Sequence, residues 1–473
     1  MEKQLADHGI RLTIEAEELL KEKKDDKIVQ KILELGKPLI TKNDIENLIK
    51  TEEKVESYQP DLFKPIAKEY EADVKVLHYR DVTDKSRTSG KVEDFINYFR
   101  NRYSKLARMI HFSSTYPKIT LEEVKKYVGE KVNVIVVVRE KRETKKGNLF
   151  LEVEDLTGTF KVVISSNRNN DQEARSILLD DVIGITGKVM EPYIIAESIQ
   201  WPNLPITRER NYAENDLAVV YLSDIHFGSR YFLERNLRAF VDWLHGKGEG
   251  KELAGKVKYI VIAGDVVDGV GIYPNQEKEL IVKDIYQQYK MFDDFVESLP
   301  DYITVIVGPG NHDGVRRGEP MPAIGSDLIN AHVIRIGSPS TVIIEGLKHV
   351  VYHGTSIDSL ISALPHLSYA HPERVMVEFL KRRHLSPIYG ENLIVPEKTD
   401  YLVIEEEPDV LHCGHVHKNG YLLYRGTLIV NSGTFQERTE FQIKQGHMPT
   451  PALVPVHELK YGRIKTLDFR TAL

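Results

Sequence analysis

The stretch VKYIVIAGDVVDG, residues 257–269, decides how the second half of this 473-residue chain is built. It opens as a near-continuous apolar run and stops at Gly264, after which Asp265 and Asp268 follow. An apolar run without alternation suits a strand covered on both faces, as in a sheet flanked by helices. The runs DLAVVYLS and DYITVIVG have the same character, and LERNLRAFVDWLHG and EKELIVKDIYQQYKMFDDFVES between them carry helical spacing. Residues 216–473 are therefore expected to form an α/β domain.

Each apolar run gives way to a polar, glycine-containing cluster: SDIHFGS (223–229), GDVVDG (264–269), GPGNHDG (308–314), YHGTS (352–356) and CGHVHKNG (413–420). In α/β sheets the ligand crevice lies beyond the carboxyl ends of the strands, so five such clusters can converge on one pocket. Their donors are Asp224, His226, Asp265, Asn311, His353, His415 and His417, oxygen and imidazole groups without thiolates, which suit Mn²⁺, Fe²⁺ or Zn²⁺. Seven donors exceed one tetrahedral site. If Asp265 bridges, two ions share it at roughly 3.5–4 Å, the arrangement that clamps a phosphoryl group and activates water.

Singly, each element has a plainer explanation. Asp224 and His226 could cap a strand, Asn311 with His312 could be turn chemistry, and His353 could close a strand. Five coincidences at five strand ends are needed for all to be structural. His349, His371, His384 and His412 are read as structural or surface residues. Cys413, the only cysteine, packs and can form no internal disulfide.

The first half reads differently. Residues 1–50 form a small helical module: Ile28, Val29, Ile32, Leu33 and Leu35 have helical spacing, with Asp26 as cap and Gly36 as stop, and Thr41 with Asp44 makes a capping-box pattern. Residues 51–90 are polar and aperiodic, a linker. A helical connector over 91–129 places Val92, Phe95, Ile96, Phe99, Tyr103, Leu106 and Ile110 on one face, as packing. From 130 to 205, five short β-rich runs separated by turn residues suit a Greek-key barrel of the OB type. Between its first two strands lies REKRETKKG, either a nucleic-acid loop or a solvated hairpin tip.

A net charge of −7 and a pI near 6.2 leave nucleic-acid contact to local patches such as Arg316, Arg317 and Lys381 to Arg383. With no apolar stretch of about 18 residues and no apolar leader in MEKQLADHGIRL, a soluble cytoplasmic protein without membrane contact is expected.

The order Asp-x-His, Gly-Asp-x-x-Asp, Gly-Asn-His-Asp, His-Gly, Gly-His-x-His resembles the calcineurin-like metallophosphoesterases, whose core is a β-sandwich flanked by helices. With the OB-like segment, LHCGHVHKNG and QGHMPTPALVPV, residues 90–473 are similar to the small subunits of archaeal family D DNA polymerases, relatives of the eukaryotic B subunits. The resemblance implies one ion on Asp224, His226, Asp265 and His417, a second on Asp265, Asn311, His353 and His415, and Mn²⁺ as the foremost metal. It implies that His312 faces the scissile phosphate, oriented by Asp268. It further implies a 3′–5′ exonuclease acting on single-stranded or frayed DNA ends and paired with a large polymerase subunit. A sliding clamp could bind the N-terminal module or the tail TLDFRTAL. Two alternatives stay open: a non-catalytic scaffold, and a stand-alone phosphomonoesterase or phosphodiesterase.

Overall fold

The computed structural model describes all residues except 1–4, 6–9, 24–25, 36, 38, 49–62, 166–170, 445 and 472–473. Two compact units result, Met1–Lys64 and Pro65–Leu473. In the first, strands β1 (Arg11–Leu12) and β2 (Leu39–Ile40) pair in parallel, and helices α1 (Ile14–Lys23) and α2 (Asp26–Glu34) lie between them in sequence. Ile28, Val29 and Ile32 join its core, whereas Leu35 is exposed. The Thr41 amide donates to Asp44 Oδ2 at 3.0 Å, capping the helical turn over 42–48. Gly36 and the side chain of Asp26 lie outside the described residues.

The second unit begins with a departure from expectation. Residues 51–62 lie outside the described residues, but those from 65 on are packed. Strand β3 (Val74–Val76) adds an edge to a sheet of the second half, and Ala67 and Val82 are fully buried. Asp81 accepts the amides of Thr83 and Gly337 at 2.8 and 2.7 Å. Polarity concealed this packing because the segment's backbone is satisfied by partners hundreds of residues away.

Helix α3 (Val92–Ala107) shows a second departure. Its buried residues are Tyr98, Arg102 and Leu106, while Val92 and Ile96 of the expected stripe are exposed. The helix turns Arg102 inward because Asp400 lies beneath it: Nε donates to Asp400 Oδ2 at 2.8 Å, and a terminal nitrogen donates to the Tyr98 hydroxyl at 3.0 Å. Phe95 and Phe99 meet Tyr389 edge-on, with centroids 6.3 and 4.9 Å away.

Strands β4 (Lys131–Glu143), β5 (Leu149–Glu154), β6 (Thr159–Ile164), β7 (Val182–Met190) and β8 (Tyr193–Gln200) close into a barrel of order β4-β5-β6-β8-β7, with the short helix α4 (Asp171–Arg175) after β6. The alternating burial along β5 points Leu149, Leu151 and Val153 into its core. Most of the basic run falls on β4 rather than on a loop. Arg139 pairs with Glu154 at 3.2 Å, Arg142 with Glu140 at 3.0 Å, and Lys141 donates to the carbonyls of Arg175 and Ile177.

A two-sheet sandwich follows. Strands β9 (Ala218–Leu222), β10 (Val257–Ala263), β11 (Thr304–Gly308) and β12 (Ile334–Arg335) run parallel in one sheet. Strands β13 (Ser340–Ile344), β14 (Leu347–Val351), β15 (Val410–Cys413), β16 (Asn419–Tyr424) and β17 (Thr427–Ser432) form the other with β3. β18 (Leu453–Glu458) and β19 (Arg463–Asp468) complete the first sheet, in the order β12-β11-β10-β9-β18-β19. Helices α5 (Glu234–Leu244), α6 (Lys251–Lys256), α7 (Ile285–Glu297), α8 (Ile357–Ala363), α9 (Pro372–Arg382) and α10 (Glu440–Lys444) fill the connections. Every residue of β9 and β10 is buried, which is why their sequences lack alternation. Part of the tail belongs to this fold: Thr466–Asp468 lie in β19, and Phe469 meets Phe240 at 5.6 Å, whereas residues 472–473 lie outside the described residues.

Between the sheets runs a polar string whose proton order is fixed at both ends. Arg210 can only donate to His457 Nε2 (3.2 Å), His457 Nδ1 donates to the Tyr221 hydroxyl (3.2 Å), and Tyr221 donates to His349 Nε2 (3.1 Å). His349 Nδ1 donates to the Leu347 carbonyl at 2.9 Å. Both imidazoles of the string, and that of His412 beside the Tyr221 ring at 4.9 Å, are held neutral: burial pushes His349 down to about 4 and His412 and His457 to about 3. Below the unfolded histidine pKa of about 6.5 the unfolded chain takes up protons that the fold refuses, so stability is full above that pH and falls below it. Each histidine contributes a slope of about 1.4 kcal/mol per pH unit. The urea midpoint is expected to drop between pH 7 and pH 5, and to drop less in His349→Gln; equal slopes for both proteins would refute this origin.

Candidate metal centre

The loops that leave β9, β10 and β11 in one sheet, and β14 and β15 in the other, meet at one end of the sandwich. Asp224 and His226 come from the first, Asp265 and Asp268 from the second, Asn311 and His312 from the third, His353 from the fourth, and His415 and His417 from the fifth. Asp224 and His353 lie behind a cavity of about 240 Å³ whose wall includes His226, Asp265, Asn311, His312, His415 and His417.

Backbone conformation marks the same residues. Asp224, His226, Asp265, His415 and His417 all have positive φ, between 50° and 70°. Left-handed backbone is uncommon for residues other than glycine and is held only where the surroundings over-determine it. Five such residues in one cluster store strain at one place. Gly310 is required as well: a Cβ there would stand 2.2 Å from Asp265 Oδ1 and 2.7 Å from His353 Cε1.

The donors form two groups. On one side Asp224, His226 and His417 bring ligand atoms within 4.8 Å of one another, and on the other Asp224, Asp265 and His353 do. Asn311 Oδ1 extends the second group, 2.9 Å from His353 Nε2 and 3.1 Å from His415 Nδ1. The outer nitrogens are committed elsewhere. His353 Nδ1 meets the Ala263 carbonyl at 2.8 Å, and His415 Nε2 meets Asp358 Oδ2 at 3.0 Å. His417 Nδ1 meets the Gln442 amide at 2.9 Å, and His226 Nδ1 lies 3.0 Å from Asp268 Oδ1, off the line of a hydrogen bond. The opposite nitrogens therefore face inward; the Ala263 carbonyl and the Asp358 carboxylate accept from His353 and His415 as the partners of metal ligands do, whereas the Gln442 amide nitrogen donates to His417.

Two features fit a cation between these groups. His226 Nε2 and His417 Nε2 are 3.0 Å apart, and facing lone pairs repel unless a proton or a cation lies between them. Asp224 Oδ1 is fully buried without a hydrogen-bond partner, which in a carboxylate is expensive unless a positive charge is at hand. Burial disfavours ionised Asp265, but the charges of His353 and His312 outweigh it and hold its carboxyl well below the usual range. Burial opposes a proton on His353 as well, yet Asp265 raises its pKa. A divalent cation held between this carboxylate and imidazole would displace such a proton.

His312 forms a further group with His226 and Asp268, their ligand atoms within 4.8 Å of one another. Its Nδ1 lies 2.8 Å from the backbone carbonyl of Asp268, which fixes the ring, and its own amide donates to Asp265 Oδ1 at 2.8 Å. The Asp268 carboxylate was expected to orient this ring. It accepts instead from Gln276 and Gln436, each at 3.0 Å, and faces His226. Gly269 permits the close backbone approach, since a Cβ there would meet the His312 carbonyl at 2.3 Å. Burial lowers the His312 pKa.

Sequence reasoning missed several supports. Asp358, at the start of α8, carries no local signal. Gln442 completes a Thr-x-x-Gln capping box with Thr439, a readable helix start, but its hold on His417 cannot be read from that pattern. Asp313 accepts the Gly310 amide at 2.8 Å and the Tyr289 hydroxyl at 3.1 Å, and burial and the charge of Asp265 push its carboxyl up to about 7. The expected cationic patches do not face the cavity. Arg316 donates to the Pro320 carbonyl and Glu397, Arg382 to Asp181, and Arg383 to the Ile404 carbonyl. Lys381 lies 3.9 Å over the Trp201 ring.

Residues 217–419 match the family model for calcineurin-like phosphoesterases, and residues 132–200 match that for OB-fold nucleic acid binding domains. The chain is 46% identical to the DNA polymerase II small subunit of Archaeoglobus fulgidus over 80% of its own length and 78% of that protein's. It is 39% identical to the DNA polymerase II small subunit of Methanothermobacter thermautotrophicus over 82% of each chain. For that of Methanocaldococcus jannaschii the identity is 38%, over 87% of this chain and 70% of the relative. Among the described residues no helix is long and apolar enough to cross a membrane.

Proposed function

The chain belongs to the DNA polymerase II small subunits of archaea, and from that premise we propose that its phosphoesterase half removes nucleotides from the 3′ end of DNA as the proofreading partner of a large polymerase subunit. The observation that carries this reading is the convergence of seven oxygen and imidazole donors from five loops at one cavity, most of them in strained left-handed backbone.

Asp224, His226, Asp265 and His417 would hold one divalent cation, and Asp265, Asn311, His353 and His415 the other, with Mn²⁺ the foremost candidate and Fe²⁺ or Zn²⁺ compatible with the same donors. Such a pair supplies Lewis-acid polarisation of the phosphoryl oxygens and lowers the pKa of the attacking water. Asp358, Gln442 and Asp268 fix the rotamers of His415, His417 and His226. His312 keeps its Nδ1 proton on the Asp268 carbonyl and turns Nε2 to the cavity. An incoming phosphate anion favours a second proton there, which His312 can then give to the leaving 3′ oxygen. The buried position of the donors favours a terminus that has already left its stack, since a paired one must first be unstacked.

The decisive comparison uses the full chain co-purified with its large subunit in Mn²⁺. A labelled duplex with a mismatched 3′ terminus should shorten from that end about tenfold or more faster than a matched one, an unstacking difference of at least about 1.4 kcal/mol. Turnover of a small aryl phosphate with intact oligonucleotide would instead support a stand-alone phosphomonoesterase, and turnover of neither a scaffold.

A further inference from the structure

His312 has two ring neighbours that, like it, line the cavity. The His226 ring meets it edge-on with centroids 4.8 Å apart, and the Tyr273 ring does so at 6.2 Å. His226 belongs to the proposed metal donors, whereas Tyr273 sits on the loop that follows Asp268 and is no ligand. Among the described residues lining this cavity, Tyr273 is the only aromatic ring that is not an imidazole. The chemistry proposed for the site leaves it without a role.

The loop holds this ring in a fixed place. The phenol hydroxyl donates to Glu279 Oε2 at 2.9 Å, and the Glu279 carbonyl accepts the Arg230 amide at 2.7 Å. The Ile272 amide donates to Gln276 Oε1 at 2.9 Å, and the Arg317 guanidinium donates to the Ile272 carbonyl at 2.9 Å. Gln276, 1% exposed, donates to the Asp268 carbonyl at 2.7 Å, the same oxygen that holds His312 Nδ1 at 2.8 Å. A carbonyl has two lone pairs and can accept both. The Tyr273 loop and the His312 ring are therefore placed relative to one another through a single backbone atom. These ties use the hydroxyl and the main chain, and the partly buried ring itself is left in the cavity wall. An aromatic surface fixed in advance loses little freedom when a ligand packs on it.

We propose that Tyr273 packs on the base of the next-to-last nucleotide, the one whose 3′ oxygen leaves, so that the site selects a nucleoside on the leaving side of the scissile phosphate. This rests on the exonuclease reading above. In that reading His312 protonates the leaving oxygen, so that oxygen lies against the His312 ring, and the nucleoside it belongs to extends past the ring. Of the two rings beside His312, His226 is taken up by the cradle, which leaves Tyr273 to meet that nucleoside. Every base has a π-face, so the contact demands a base at this position and tolerates its identity.

The test uses the full chain co-purified with its large subunit, in Mn²⁺ and without nucleoside triphosphates. It reads kcat/KM for the first cleavage of three single-stranded oligonucleotides, one intact, one abasic at the next-to-last position and one abasic at the last. Tyr273→Ala should lower the value on the intact strand about tenfold, within the range for one base–aromatic stack. On the strand without its next-to-last base the same substitution should change it by less than about twofold, and on the strand without its last base the loss of about tenfold should return. Tyr273→Phe should stay within about threefold of wild type on all three, because it keeps the ring and gives up only the bond to Glu279. An Ala penalty that is absent on the intact strand, persists without the next-to-last base, or disappears with the last base instead would overturn the stack. Equal losses in the Phe and Ala variants would assign Tyr273 a structural role through Glu279 and overturn it too. In each of these cases shortening by the wild type leaves the exonuclease reading intact, and no shortening by the wild type would remove that reading and the stack with it.

Discussion

Asp265→Asn is expected to lower hydrolysis of a 3′-mismatched duplex by at least about 10³-fold, about 4 kcal/mol of barrier. Asp265 is the donor that both proposed ligand sets share. It is 2% exposed, with Oδ2 3.3 Å from His353 Nε2 and Oδ1 accepting the His312 amide at 2.8 Å. The amide replacement preserves shape and can still accept from the His312 backbone, but it removes the negative charge between the two groups of imidazoles. Two cations held on the proposed ligand sets would then repel without compensation, and at least one should be released. Elemental analysis of the purified assembly should show about two ions per chain in the wild type and one or fewer in the variant. Co-purification with the large subunit should persist, because the replacement keeps the shape of a side chain that is 2% exposed. A variant that keeps its ions and stays within tenfold of wild-type activity would show that Asp265 is not the bridge.

The second large effect concerns stability. Arg102→Met should destabilise the unit Pro65–Leu473 by about 3–5 kcal/mol at pH 8, because it leaves the fully buried Asp400 carboxylate without its arginine. Burial opposes the charge on Asp400, yet His384 and Arg102 hold its pKa well below the usual carboxylate value. His384 Nε2 lies 2.9 Å from Asp400 Oδ2, and burial together with the charge of Arg102 lowers its own pKa. With the guanidinium gone, the imidazole can take a proton and replace it as counter-ion. In the variant the folded histidine pKa then rises above the unfolded value, so the compensation is complete below about pH 6.5 and is lost as pH increases. Urea unfolding at pH 6 and pH 8 should show the larger deficit at pH 8. A loss below about 1 kcal/mol at pH 8 would mean that the ion pair contributes little beyond its apolar contacts. Arg102→Met with Asp400→Asn should recover part of the deficit, since an unpaired charge is no longer buried.

The contrast between these two sites shows which information is local. Asp224, Asp265, Asn311, His353, His415 and His417 could be picked out because each follows an apolar run at a strand's carboxyl end. Topology sends those ends to one side of a sheet, so order along the chain was enough to suggest a common pocket. The barrel was legible for a similar reason, as alternation in LFLEVE has only one reading on a half-buried strand. Arg102 carried no such mark. Its partner lies 298 positions away, and an arginine among aromatic residues reads as the solvated side of a helix. The same blindness hid Asp358 behind His415 and the internal partners of Lys381, Arg382 and Arg383, and it made the packed residues from 65 onward look like a linker.

What the sequence determined by itself is the set of elements and the chemistry at their ends: periodicity depends only on neighbours along the chain, and donor type is written in the residue. What only the tertiary structure decided is which groups compensate one another. Whether a buried charge is paired, and which imidazole nitrogen faces inward, depend on interactions that fall off within a few ångströms, between residues the chain brings together only when it folds.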